Sequence, residues 1–171
     1  QDEIIDMCHT ADAEATEKVL LKAIALEMRS SQNYVSLIQN LPEKYWSNNF
    51  SYAISNLINN IDITEETRAS VLHGFVKGAP QHAQTLIKDL ISRKHNNIQS
   101  PLWCTAIDAF LVIDPVQAWP IVKDEFLKVG KTILIKLESL RTRFNKFNAK
   151  PLTWPINLRL DLARTLFEAF P

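Results

Sequence analysis

The chain has 171 residues, 46% hydrophobic and 22% charged, and its 19 Lys and Arg balance 19 Asp and Glu for a net charge of zero. That length can bury a core without disulfides or metal, and the balance excludes a surface devoted as a whole to neutralising phosphates. Two cysteines cannot build a disulfide framework or a four-cysteine zinc site, and three glycines, Gly74, Gly78 and Gly130, supply no phosphate-cradling loop.

The opening residues, with Asp2, Glu3 and Asp6 after Gln1, show neither a basic n-region nor an apolar h-region, so no secretory signal is expected. The longest apolar run, Ala109 to Ile113, is five residues, against the ~20 needed to cross a bilayer. A cytoplasmic protein is therefore expected, with the nucleus as the alternative, and no membrane partner.

Apolar residues recur at helical spacing along nearly the whole chain, which predicts an all-α fold. A short segment over Asp2 to Cys8 precedes a helix over Ala13 to Met28 with Leu20 or Leu21, Ile24, Ala25 and Met28 inward. A helix over Gln32 to Leu41 follows, with Tyr34, Leu37, Ile38 and Leu41 inward and Pro42 ending the run. The next covers Asn48 to Ile61 and carries Phe50, Ala53, Ile54, Leu57, Ile58 and Ile61; its five asparagines weaken intrinsic propensity, so it relies on packing.

Thr64 before Glu65 and Glu66 is a strong helix start, a hydroxyl to cap free N–H groups and two carboxylates on the positive end of the dipole. That helix runs to Lys77, with Gly78 expected as its left-handed cap, and Pro80 opens another that carries Ala83, Leu86, Ile87 and Leu90 to Arg93. A polar loop, Lys94 to Gln99, leads to Ser100-Pro101, an N-cap followed by proline, and Asp114-Pro115 repeats the device fourteen residues later. Pro120 either kinks the second of these helices at Trp119 or makes it begin there. A helix over Thr132 to Phe147 places Ile133, Leu137, Leu140 and Phe144 on one face and basic residues on the other. The last starts near Trp154, with Pro155 first and Leu158, Leu162, Ala163, Leu166 and Phe167 inward. Because the pattern Leu158, Leu162, Leu166, Phe170 is still running at Pro171, the chain is expected to be a piece of a longer protein.

The chain also repeats itself. At an offset of 35 residues Leu72 falls on Ile107, Phe75 on Phe110, Val76 on Leu111, Pro80 on Pro115, Ala83 on Ala118, Ile87 on Val122, and Lys88-Asp89 on Lys123-Asp124. A weaker echo at an offset of 49 sets Ser31 to Leu41 on Pro80 to Leu90. The helix, proline- or aspartate-bearing turn, helix units at 64–92 and 101–128 resemble HEAT repeats, with the Asp114-Pro115 corner and Lys123 in the second helix at positions typical of that family. Gly78-Ala79 in place of the corner aspartate, Pro120 and the irregular first third depart from the pattern. The resemblance implies a right-handed superhelix of stacked antiparallel helix hairpins, an α-solenoid of about 8–10 helices in one domain, and a scaffolding or protein-binding role.

The residues point to no chemistry of their own. Cys8, His9, Cys104, His73, His82 and His95 lack metal-ligand spacing; Cys104 reads as a small buried hydrophobe; no Cys/His or Ser/His pair has a local signature. Glu65-Glu66 reads as a helix cap, and Asp124-Glu125 as part of a solvated face with Lys123 and Lys128. Trp46, Trp103, Trp119 and Trp154 stand near helix ends, where plugging between helices is expected ahead of anchoring a partner. No catalytic residue, cofactor, metal or small-molecule substrate is assigned.

Charge is asymmetric. Residues 1–66 hold 11 acidic and 4 basic side chains, net −7, so the rest of the chain is +7. Lys123 to Lys150 holds eight basic residues against three acidic, with Phe144 and Phe147 interleaved. The expected partner-binding residues are Lys136, Arg141, Arg143 and Lys146, meeting an acidic surface on another protein or another domain of the same chain. Nucleic acid, with this chain as a sensing module on a larger nucleotide-hydrolysing protein, is the alternative.

Overall fold

The structure is a computed structural model that describes residues 2–30, 33–93, 98–130, 132–133, 137 and 154–169. Among the described residues the fold is all-α, with helices that pack on one another and no strand. The chain divides into two compact units, Gln1–Leu86 and Ile87–Pro171. No helix among the described residues is long and apolar enough to cross a membrane.

The first unit contains α1 (Asp2–Ala11), α2 (Ala13–Ser30), two short 3-10 turns (Leu37–Asn40 and Glu43–Tyr45), α3 (Asn48–Ile58), α4 (Glu65–Gly78) and the start of α5 (Pro80–Ser92). Helix α2 packs against α1 and α3, α3 against α4, and the Leu37–Asn40 turn against α4. Leu20, Ile24 and Met28 of α2 join Ile38, Phe50, Ile54, Ile58, Leu72 and Phe75 in the core. Helix α4 is central: Thr67, Arg68, Ala69, Val71, Leu72, Phe75 and Val76 are all buried, so it has no solvated stripe of the usual width. Thr64 caps it as expected, its hydroxyl accepting from Thr67 N, and both Glu65 and Glu66 lie in its first turn.

Two expectations in this unit are corrected. No α-helix spans 32–41: the described part has no regular structure over 33–36 and then makes a single 3-10 turn. The Glu27 carboxylate accepts from Ser36 N, Ser36 Oγ and Leu37 N, and Val35 N donates to Ser70 Oγ. Backbone donors that a helix would pair internally are thus met by side chains, and Tyr34, expected inward, is 59% exposed. Helix α3 stops at Ile58, because the Asn60 side chain accepts from Asp62 N and turns the chain, which leaves Ile61 83% exposed.

Gly78 is also not a left-handed cap. It belongs to α4, the capping residue is Ala79, and the positive φ among the described glycines is at Gly130, which ends α7. The reason for glycine is close approach: a Cβ at Gly78 would lie 2.6 Å from Cε2 of Trp46, and one at Gly74 would lie 2.7 Å from Cγ2 of Ile38.

The second unit contains the rest of α5, α6 (Pro101–Ile113), α7 (Pro115–Val129) and α8 (Ile156–Ala169). Helix α6 is its centre, with Leu102, Trp103, Ala106, Ile107, Ala109, Phe110 and Leu111 buried, and it packs on α7, which packs on α8. Both proline starts behave as expected: Ser100 Oγ accepts from Trp103 N and Asp114 Oδ1 from Gln117 N, each at 3.1 Å. Pro120 does not begin a helix. It sits inside α7, where the Val116 carbonyl it leaves without a helical donor belongs to a 57% exposed residue that water can reach. Of the stretch expected as a helix over 132–147, Thr132, Ile133 and Leu137 are described; Thr132 is exposed, Ile133 and Leu137 are fully buried, and Leu137 N donates to Ile133 O at 2.9 Å.

The 35-residue repeat is present in backbone geometry at its corners. Ala79 (φ −147°, ψ 66°) and Asp114 (φ −145°, ψ 77°) share one conformation, each donates its N–H at 2.8 Å to the equivalent carbonyl, Phe75 or Phe110, and each precedes a proline that opens the next helix. The superposed positions Leu72 and Ile107, Phe75 and Phe110, Ala83 and Ala118, Ile87 and Val122 are buried in both copies. The two corners differ in that Asp114 adds a side-chain cap that Ala79 cannot make.

Candidate protein-docking surface

The sharpest surface feature lies on the first two helices. They meet at a one-residue break, Asp12, whose N–H donates to Cys8 O while its carboxylate accepts from Ala15 N at 2.9 Å and starts α2. Helix α1 is tied to the rest of its unit by Asp6, which accepts from the Tyr45 hydroxyl and pairs with Lys44 at 2.7 Å, and by His9, edge-on to the Tyr45 ring at 4.7 Å. These polar ties hold one side of α1 inward and leave Ile4, Met7, Cys8 and Ala11 on the other.

Helix α2 carries two apolar stripes. Leu20, Ile24 and Met28 go into the core; Ala15, Val19, Ala23 and Leu26, at helical spacing roughly a quarter-turn or more away, do not. Val19 and Leu26 are 66% and 65% exposed, and Ile4 and Met7 of α1 are 68% and 74% exposed. Between the helices runs an open groove of about 490 Å³ lined by Ile4, Ile5, Cys8, Ala11, Ala15 and Val19, with Thr16 and Leu20 at its floor and Asp12 at one end. Glu3 adds a carboxylate on the α1 side, and Lys18, paired with Glu14 at 2.6 Å, a cation on α2. The unit as a whole, residues 1–86, holds 11 acidic and 6 basic side chains, net −5.

The basic residues singled out from the sequence, Lys136, Arg141, Arg143 and Lys146, lie outside the described residues. Of the same charged run, Lys123 donates at 2.7 and 2.9 Å to Asp161 of α8, and Lys128 pairs with Glu125 at 2.8 Å and Asp124 at 3.6 Å. Hydrogen bonds from Lys123 and then from the Trp119 indole hold the Asp161 carboxyl below its ordinary value. Those two lysines therefore serve the unit's own carboxylates, so the +5 counted over 123–150 overstates the charge free for a partner.

All four tryptophans are buried: Trp46 donates to Leu41 O and stacks on Phe75 at 5.1 Å, and Trp119 donates to Asp161 at 2.7 Å beside Trp154. Cys104 is buried and donates to Ile98 O, whereas Cys8 is exposed on the groove. The fold does bring Ser51 and His82 together, Oγ to Nδ1 at 2.7 Å. Ser51 lies in the first turn of α3 and is 5% exposed, and the bond ties α3 to α5. Among the described residues no three His, Cys, Asp or Glu side chains converge where a metal ion would be held.

Helix α8, unlike α2, whose Leu20, Ile24 and Met28 are buried as expected, departs from expectation. Leu158 and Thr165 are buried and Asp161 reaches α7, while Phe167, expected inward, is 80% exposed and Ala163 is exposed as well. Ile156, Leu160, Ala163 and Phe167 form a second stripe, i, i+4, i+7, i+11, that the described structure leaves in solvent. On α2 helical spacing identifies the buried stripe, Leu20, Ile24 and Met28, whereas on α8 the open stripe competes with the neighbouring spacing Leu158, Leu162, Leu166, and spacing alone does not say which one is buried. No family model, curated protein or solved structure matches this chain.

Proposed function

We propose that the chain is a non-catalytic helical-repeat module of the HEAT-like kind that binds a protein partner along the α1–α2 groove. One observation carries the reading: Ile4 and Val19, 68% and 66% exposed, line a single apolar groove with Ile5, Cys8, Ala11 and Ala15, the same two helices also expose Met7 and Leu26, and contiguous apolar surface of this sort marks interaction sites. A groove between two helices suits an amphipathic helix laid into it, with anchors at i, i+4, i+7 and i+11. The net −5 of the unit favours basic residues beside that apolar stripe. The recurring Ala79-Pro80 and Asp114-Pro115 corners support the repeat assignment. A free, exposed Cys8 suits a reducing compartment such as the cytoplasm.

The test is fluorescence anisotropy of a synthetic helical peptide, a leucine stripe bordered by arginines, titrated with the full chain and with its Val19→Asp variant. Wild type binds, and Val19→Asp weakens binding at least ~10-fold, the equivalent of about 1.4 kcal/mol, with an unchanged circular dichroism melt because Val19 is exposed. No binding, or binding indifferent to Val19→Asp, overturns the proposal. An oligonucleotide that binds with a steep salt dependence and ignores Val19→Asp would favour the nucleic-acid alternative.

A further inference from the structure

Resting on that reading of the groove, we infer that α1 is a hinged wall of it, swinging about Asp12 and latched through Asp6, so that one exposed clasp completes the site or takes it apart. The hinge is Asp12, where the two helices separate. Helix α2 needs nothing from α1 to begin: Asp12 Oδ1 accepts from Ala15 N, and the Asp12 carbonyl accepts from Thr16 N at 3.1 Å and from the Thr16 hydroxyl at 2.8 Å. Rotation at this one residue moves α1 and costs α2 none of those bonds.

The wall is thinly attached. From Glu3 to Ala11 no side chain of α1 is buried, and Ile5, Asp6 and His9 are its half-buried ones. Besides the groove, α1 borders a second cavity of about 280 Å³, where Ile5 and Asp6 face the turn residues Ser36, Leu37, Asn40 and Pro42. The ties described for α1 there are the Asp6 carboxylate, which accepts from the Tyr45 hydroxyl and pairs with Lys44 at 2.7 Å, and the edge contact of His9 with the Tyr45 ring. Tyr45 is buried, but the side chains of Lys44 and Asp6 are 52% and 43% exposed, so water and salt reach the clasp. Helix α1 has ten residues, fewer than the ~12–15 that an isolated helix needs even when rich in alanine, so once unlatched it melts as well as moves.

The groove depends on this helix directly. Ile4, Ile5, Cys8 and Ala11 come from α1, and the facing residues from α2, while Asp6 is not among the lining residues. With α1 away, the α2 side is left as one open face. A partner that fills the groove therefore binds the latched form, and by linkage it holds α1 down.

Amide hydrogen exchange on the full chain tests this, with Asp6→Asn, which removes the charge, and Tyr45→Phe, which removes the hydroxyl and keeps the ring beside His9. In wild type the α1 amides exchange together, at least ~10-fold faster than those of α4. Each variant speeds α1 about 3-fold further and leaves α3 and α4 unchanged. Raising salt from about 0.1 to 1 M acts on wild type in the same direction. Saturation with the arginine-bordered peptide slows α1 in wild type and in both variants. An α1 that exchanges as slowly as α4, or that ignores the variants and salt, overturns the latch; peptide binding that Val19→Asp still weakens would then leave the groove reading standing. Binding that slows α2 and not α1 refutes α1 as a wall. A peptide that does not bind overturns the groove reading and the gating with it, even where α1 opens as described.

Discussion

Replacing Gly74 by alanine sets two known effects against each other. On helix propensity alone the change is favourable, by about 0.8–1.0 kcal/mol in a helix interior. The structure reverses the sign, because the new Cβ would stand 2.7 Å from Ile38 Cγ2 and 2.9 Å from the Ile38 carbonyl oxygen. A flexible side-chain tip can move aside, but the carbonyl belongs to the Leu37–Asn40 turn, which Gln39 fastens to Ser70 O of α4 at 2.8 Å. Overpacking against such a wall costs about 1–3 kcal/mol; with the upper half of that range and the propensity gain subtracted, Gly74→Ala should destabilise by about 1–2 kcal/mol. For a urea m-value of about 2 kcal/mol/M the midpoint falls by roughly 0.5–1 M. Asn56→Ala, on the exposed face of α3, supplies the control: it gains propensity without a clash and should raise the midpoint slightly. A Gly74→Ala midpoint equal to or above wild type would refute the close-approach explanation.

Three further substitutions probe the local devices. The three hydrogen bonds from Ser36 and Leu37 outweigh burial, the largest single influence, and lower the Glu27 carboxyl below its ordinary 4.5, while Asp161 is lowered from 3.8 by Lys123 and Trp119. Groups depressed on folding stabilise above their unfolded values and lose that contribution as pH falls through the folded ones, so the thermal midpoint should hold from neutrality to about pH 5 and drop below ~4.5. Glu27→Gln should lower the midpoint at pH 7 and shrink the difference between pH 7 and pH 3; an undiminished difference would show that Glu27 takes no part. Removing the helix caps Ser100→Ala or Asp114→Ala should each cost about 1 kcal/mol in urea unfolding, and no change would mean that the 3.1 Å bonds to Trp103 N and Gln117 N add nothing.

Where local chemistry terminates a helix, the sequence was legible. Thr64, Ser100-Pro101 and Asp114-Pro115 mark starts because a side-chain oxygen, and in the last two a proline's fixed φ, act within three residues, and the Asp114-Pro115 corner repeats the backbone angles of Ala79-Pro80, 35 residues earlier. Where the deciding partner is distant, it was not. The stretch before Pro42 has helical apolar spacing, yet Glu27 and Ser70, 9 and 35 residues away from the groups they bond, satisfy its donors in an irregular path. Gly78 looks like a terminator from its neighbours, and it takes the position of Trp46 to show that it is a packing glycine. On α2 the spacing picks out the buried stripe, Leu20, Ile24 and Met28, but it gives no sign that Val19 and Leu26 stay uncovered, and on α8 it places Phe167 inward where the packed structure leaves it 80% exposed. Composition shows the two charge poles, and the apolar groove lies at the acidic one, away from the basic run in sequence.

The most direct measurement of the docking surface is amide hydrogen exchange on the full chain, with and without the arginine-bordered helical peptide. If the α1–α2 groove is the binding site, amides of both helices exchange more slowly on saturation, Val19→Asp removes the effect, and the buried helix α4 is unchanged. Protection that leaves α1 and α2 untouched, or that Val19→Asp preserves, would contradict it.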